Sequence, residues 1–206
     1  MTPASLASIG PGPDDDGMSQ FQSLAGKLLV AMPGIGDPRF EHAVILICAH
    51  QADHAMGLRL DRPAPGVDLR TVLDKLEMRD ADKAPDQAVL VGGPVDRERG
   101  FVLHTDDWTA PDASLPVGEG LAITATREAL AAMTDPVTRP RRSVLVLGYA
   151  GWGEGQLEDE LTENVWLTAD PTPELLFDAD HATKWTRALA GIGVDAAMLS
   201  AQGGRA

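Results

Sequence analysis

The sequence predicts an α+β fold built on a mixed sheet, and three observations lead there. Short apolar, β-branched runs alternate with stretches of helical period, giving about eight strands and roughly four or five helices. The links near Gly92 and Arg97 are too short to hold a crossover helix, so part of the sheet must be antiparallel. A chain of 206 residues, 44% hydrophobic and 23% charged, carries enough apolar surface for one sizeable core.

The elements follow in order. Residues 1–20 read as a disordered tail, because Pro11-Gly12-Pro13-Asp14-Asp15-Asp16-Gly17 combines breakers with charge and has little to bury. A single domain spans 25–206. Gly26 to Met32 is an apolar run stopped by Pro33-Gly34, a buried strand. Asp37 can cap a single helical turn with Pro38 in its first position. Ala43 to Cys48 is a central strand and Met56 to Leu60 another, ended by Pro63. Val72, Leu73 and Leu76 share a helix face within Asp68 to Met78. Ala88 to Val91 and Gly100 to His104 form a hairpin-like pair across the charged turn Asp96 to Arg99. Leu121 to Thr124 is a strand, and Thr126 caps a helix to Met133. Ser143 to Leu147 is a buried strand that runs into a glycine-rich turn. Glu154 to Asn164 is a helix with Leu157 and Leu161 on one side, and Val165 to Ala169 a strand. Asp180 caps a last helix that turns Ala182, Trp185 and Leu189 inward and stops at Gly191.

Charge narrows the function. A net charge of −14 opposes direct nucleic-acid binding, which runs on cations displacing counterions, and opposes docking on anionic membranes. The one dense basic stretch, Arg139-Pro140-Arg141-Arg142, reads as a solvated loop before a strand. The single cysteine permits no internal disulfide, and no apolar run reaches the ~20 residues of a membrane helix, so the expected compartment is the cytoplasm.

The densest signal is Gly148-Tyr149-Ala150-Gly151-Trp152-Gly153-Glu154-Gly155-Gln156, continuing to Glu160. With Leu29 to Pro33, Asp37-Pro38-Arg39-Phe40-Glu41, Ala55 to Leu58 with Arg62-Pro63, Gly92-Gly93-Pro94-Val95, Arg99 to His104, and Asn164, Trp166 and Leu167, it resembles the YqgE/AlgH family of bacterial proteins. The resemblance runs in family order over about residues 25–205. It implies a largely antiparallel, branched sheet with a small barrel-like part and helices packed outside. It implies no cofactor and no assigned catalytic residue. The AlgH name is tied to transcriptional regulation of alginate synthesis, which implies an indirect regulatory role. Asp61 stands where the family commonly has Asn, and Arg205 where a C-terminal His is common.

Few residues propose chemistry. Cys48 and His50, two apart, would share a sheet face; a thiol beside an imidazole can become a nucleophile, but Val44 and Leu46 on that face argue for a buried, unreactive thiol. His42, His50, His54 and His104 lack the spacing of a metal site, so no metal is expected. Gly151-x-Gly153-x-Gly155 opens a helix, yet Glu154, Glu158, Asp159 and Glu160 would repel a phosphate there. Those carboxylates read as a solvated face. The remaining expectation is a binding cleft. The turns at Gly92-Gly93 and Gly151–Gly155 lie side by side and bring Arg99, His104, Tyr149, Trp152 and Gln156 to one surface. That set suits a small anionic or aromatic ligand, or a protein partner presenting such a group. The competing expectation is an enzyme built on the Cys48–His50 pair or on the group Arg99, His104 and Gln156.

Overall fold

The structure is a computed structural model that describes residues 22–202, without the side chains of residues 200–202. The tail, residues 1–20, and Arg205 lie outside the described residues. Among the described residues, ten strands form one mixed sheet with six α-helices: β1 (Leu28–Ala31), β2 (Val44–Gln51), β3 (His54–Arg59), β4 (Pro63–Asp68), α1 (Leu69–Lys75), β5 (Ala88–Val91), β6 (Val95–Thr105), β7 (Ser114–Pro116), β8 (Leu121–Thr124), α2 (Arg127–Thr134), β9 (Ser143–Gly153), α3 (Gln156–Thr162), β10 (Trp166–Ala169), α4 (Pro173–Phe177), α5 (Lys184–Gly191) and α6 (Ala196–Gln202). The sheet order is β10-β1-β2-β3-β9-β6-β8-β7, with β5 on β9 and β4 on β5. Every pairing is antiparallel except β5 with β9.

The branch is at Gly148. The first half of β9 has β6 on one side and β5 on the other, with Leu90 opposite Val146 and Val91 opposite Leu147. Its second half pairs Ala150 to Gly153 with β3. Gly148 makes the change of partner with a φ of +71°, which side chains rarely tolerate, and a Cβ there would stand 2.9 Å from the carbonyls of Gly93 and Val95. Gly92 and Gly93 run beside it so closely that a Cβ on Gly93 would meet the Tyr149 carbonyl at 2.1 Å. Gly92 and Gly93 therefore pack backbone against backbone on Gly148 to Ala150, not on the expected segment Gly151–Gly155.

Burial follows the pleat. Leu28 and Val30 join the largest core with Val44, Leu46, Leu58, Phe101, Leu103, Val144 and Val146, which α4 and α5 close through Leu176, Trp185 and Leu189. Leu29 and Ala31 face the opposite way, onto Ile45, Ile47, Ala150, Trp152, Trp166 and Leu157 of α3. α1 and α2 cover a third cluster on β5, β6 and β9. Strands buried on both faces read as unbroken apolar runs, which is why β1 and β5 stand out in the sequence.

Several expectations are corrected. β5 and β6 are not a hairpin: they flank β9, and Asp96 to Arg99 belong to β6, next to a register shift between Val95 and Gly100. The glycine-rich segment is not a turn but the second half of β9, which ends only at Gly153. Ala182 is exposed and Lys184 fully buried, because the regular helix starts at Lys184 after a 3₁₀ turn. Asp180 gives that turn no side-chain cap, and the left-handed residue beyond the helix is Gly193. β4 and β7, rich in proline, and the five-residue α4 give too little periodicity to be read. No helix among the described residues is long and apolar enough to cross a membrane.

Candidate functional site

The most built-up surface lies where β9 ends. Trp152 on β9 and Trp166 on β10 are separated in the sheet by β1, β2 and β3, yet their rings meet edge to face at 6.2 Å. The sheet curls to bring them together, and the small Ala31, Ala43, Ala55 and Ala150 on the concave side permit it. α3 links the two strands and supplies the fastening. The Glu160 Oε2 atom accepts from the indole N–H of Trp152 at 2.8 Å and of Trp166 at 2.7 Å. Its Oε1 accepts from the Gln156 side-chain amide, one helical turn away, at 2.8 Å, while the Gln156 carbonyl accepts from the Gly153 N–H at 3.2 Å.

Opposite stands the 3₁₀ turn Pro38–Phe40. Asp37 caps it by accepting from the Arg39 N–H at 2.9 Å and grips the Arg39 guanidinium at 2.6 Å. The arginine's hydrogen bonds hold the Asp37 carboxyl below its ordinary pKa. Phe40 packs edge to face on Trp166 at 5.9 Å. Between turn and helix is a cavity of about 340 Å³ lined by Ile35, Arg39, Phe40, Pro94, Trp152 and Glu160, with Gln156 and Trp166 beside them.

Of the residues expected here, the structure places Trp152 and Gln156 in the cleft. Gly92 and Gly93 are buried and outside its lining, Gly92 against Gly148 and Gly93 against Tyr149. Tyr149 itself points to the other face, edge to face with Phe101 at 6.0 Å. Arg99 is exposed over that same Phe101 ring at 5.2 Å, away from Trp152. His104 pairs with Ser143, nine residues along β9 from Trp152, or ~30 Å at ~3.3 Å per residue. It is fully buried, bonded to the Thr124 hydroxyl at 2.9 Å and the Thr105 carbonyl at 3.0 Å, and burial pulls its pKa down. Arg99, His104 and Tyr149 thus do not converge with Trp152 and Gln156.

The Cys48–His50 pair is also separated. A bulge between Ile47 and Ala49 flips the alternation, so Cys48 lies in the core with Val44 and Leu46, while His50 stands opposite Ala55 on the other face. Burial pushes the Cys48 thiol up to about 12. His50 accepts from the Leu24 N–H at 3.0 Å and meets Glu158 at 2.8 Å, so Glu158 is not simply a solvated carboxylate. Among the described residues no cluster of His, Cys, Asp or Glu could hold a metal ion.

Sequence reasoning missed Glu160, Arg39, Phe40 and Trp166 as cleft residues. A signal existed: a buried tryptophan needs an acceptor for its N–H, and Glu160 lies between Trp152 and Trp166 in the chain.

A family model described as AlgH-like (DUF179) matches residues 28–197. A UPF0301 protein of Caulobacter vibrioides is 58% identical over 193 residues, 94% of this chain and 97% of that protein. Another, of Ruegeria pomeroyi, is 47% identical over 187 residues, 89% of this chain and 99% of that one. The solution structure of the AlgH protein from Pseudomonas aeruginosa superposes with a TM-score of 0.72 at 37% identity, covering 91% of this chain and 98% of the other. The crystal structure of a Corynebacterium diphtheriae protein gives 0.65 at 21% identity, covering 82% and 87%, a likeness of fold.

Proposed function

The chain belongs to the AlgH-like family, and we propose that it is a non-enzymatic binding module whose cleft between Phe40 and α3 receives an aromatic group, carried by a small molecule or by a loop of a partner protein. One observation carries the reading. The Glu160 carboxylate, tied to two indoles and an amide, holds an aromatic wall in place before any ligand arrives. A wall already ordered saves the entropy that a mobile one would lose on binding. The ionisable groups of the cleft are occupied with each other, Asp37 with Arg39 and Glu160 with its donors, so none stands ready to move a proton. The lining holds Asp37 and Glu160 against a single Arg39, which favours an aromatic over an anionic ligand. We infer that the output is regulatory and indirect, through the bound ligand or partner, since a net charge of −14 disfavours contact with nucleic acid.

The enzymatic alternative finds little support. Cys48 is buried on the opposite face of the sheet from His50, and Arg99 and His104 are engaged elsewhere. A thermal-shift screen tests the binding reading, because a ligand at ~100 times its Kd adds ~2.7 kcal/mol to stability. The expected hits are aromatic and weaken in Phe40→Ala and Gln156→Ala. Hits that stay unchanged in both variants would refute the cleft.

A further inference from the structure

Far from that cleft, where β9 begins, the basic loop Arg139-Pro140-Arg141-Arg142 separates two cavities that share Arg141, Arg142 and Phe177. One, of about 330 Å³, is lined by all three arginines with Gln87, Met133, Pro140 and Ser143, and its lining holds no carboxylate. The other, of about 340 Å³, is apolar, with Leu121, Pro171, Pro173 and Leu176 around Phe177 and Glu119 at its side.

The loop is not loose. Pro140 is buried, the Arg141 N–H donates to Asp107 at 3.1 Å, and the Arg142 N–H donates to the Thr105 hydroxyl at 3.3 Å. The guanidiniums stay largely open. Arg141 Nε meets Asp107 at 3.4 Å; Arg142 reaches the Pro173 carbonyl at 3.3 Å and Glu174 at 4.0 Å; Arg139 has no side-chain partner among the described residues. Gln87 spends its amide N–H on the Ser143 carbonyl at 2.7 Å, and its buried Oε1 has no partner among the described residues.

We propose that this double cavity binds a small organic phosphate bearing a flat apolar group. The phosphoryl oxygens take the open donors of Arg139, Arg141 and Arg142, since guanidinium forks match phosphate geometry. The apolar group lies against Phe177, Leu176 and the prolines. The net charge of −14 does not prevent this, because charges beyond about 10 Å are screened in physiological salt while the arginines act at contact.

The test titrates phenyl phosphate, inorganic phosphate and a single-stranded oligonucleotide into the full chain, following backbone amide shifts at Gln87, Arg141, Ser143 and Phe177. Phenyl phosphate saturates; inorganic phosphate binds at least about tenfold more weakly, lacking the apolar half. The exposed double variant Arg139→Gln, Arg141→Gln weakens phenyl phosphate about tenfold or more, and its unchanged melting temperature shows that folding is intact. Three results overturn the proposal: no saturable shift at these residues, equal affinity for the two phosphates, or affinity unchanged in the double variant. Tighter, steeply salt-dependent binding of the oligonucleotide also overturns it and reassigns the loop to nucleic acid.

Discussion

Replacing Glu160 with alanine strips the acceptor from two indoles at once. Trp152 and Trp166 are 5% and 3% exposed, so their N–H groups have little access to water once Glu160 is gone. Each orphaned donor costs ~1–3 kcal/mol, giving about 2–6 kcal/mol for the pair. Glu160 is itself only half-buried, which lets some water in and places the expected loss near 3 kcal/mol. Glu160→Gln keeps an oxygen for the indoles but loses the charge, which about halves such bonds, so about 1 kcal/mol is expected. Urea unfolding followed by far-ultraviolet circular dichroism reads both without relying on tryptophan emission. With a slope of ~2 kcal/mol/M, the alanine variant shifts the midpoint by about 1.5 M. An alanine variant that loses less than ~1 kcal/mol, or a glutamine variant as damaged as the alanine, would refute the idea that the carboxylate fastens the wall.

Gly93→Ala places a Cβ 2.1 Å from the Tyr149 carbonyl, backbone that cannot yield cheaply; a loss of at least ~3 kcal/mol or insoluble expression is expected, and near-wild-type melting would contradict the close approach. Cys48 is expected to resist a thiol reagent in the native chain and react at once in denaturant, given its burial and raised pKa; rapid native labelling counts against this. Lys184, fully buried and donating to the Leu60 and Leu176 carbonyls, has its pKa pulled by burial from 10.5 to about 8. Between those values the unfolded chain binds the extra proton, so this group's contribution to stability rises with pH across that window, by at most ~1.4 kcal/mol per unit. Lys184→Met should remove that rise; parallel stability curves for the two proteins between pH 7.5 and 10, urea midpoints at each pH, would rule it out.

Much of the scaffold was legible because burial on both faces leaves an unmistakable mark. β1, β5 and the start of β9 are runs of Leu, Val and Ala that only a sheet interior explains. The Asp37 and Thr126 caps were legible because a short polar side chain before a helical turn has one favoured use. The course of β9 through Gly148 to Gly153 was not, since glycine carries no periodicity and signals a turn by default. The bulge beside Cys48 was equally silent: one unpaired residue reverses which face His50 occupies, and no local pattern announces it. For the cleft, Trp152 and Gln156 could be picked from the glycine-rich segment. Trp166 and Glu160 depend on a curl across three strands, and Arg99 and His104 follow Gly92-Gly93 closely in the chain while β6 carries them along the first half of β9.

The chain has four tryptophans, and two of them line the cleft. Their indole N–H signals in a ¹H–¹⁵N spectrum therefore report directly on an aromatic group entering it. Trp108 and Trp185, the latter bonded to the Ala31 carbonyl at 2.8 Å, lie outside the lining and serve as internal controls. During titration with an aromatic hit from the thermal-shift screen, the Trp152 and Trp166 signals should move together and saturate at one affinity while the control signals stay put. Silence at Trp152 and Trp166 with shifts elsewhere would contradict the assignment of this cleft as the binding site.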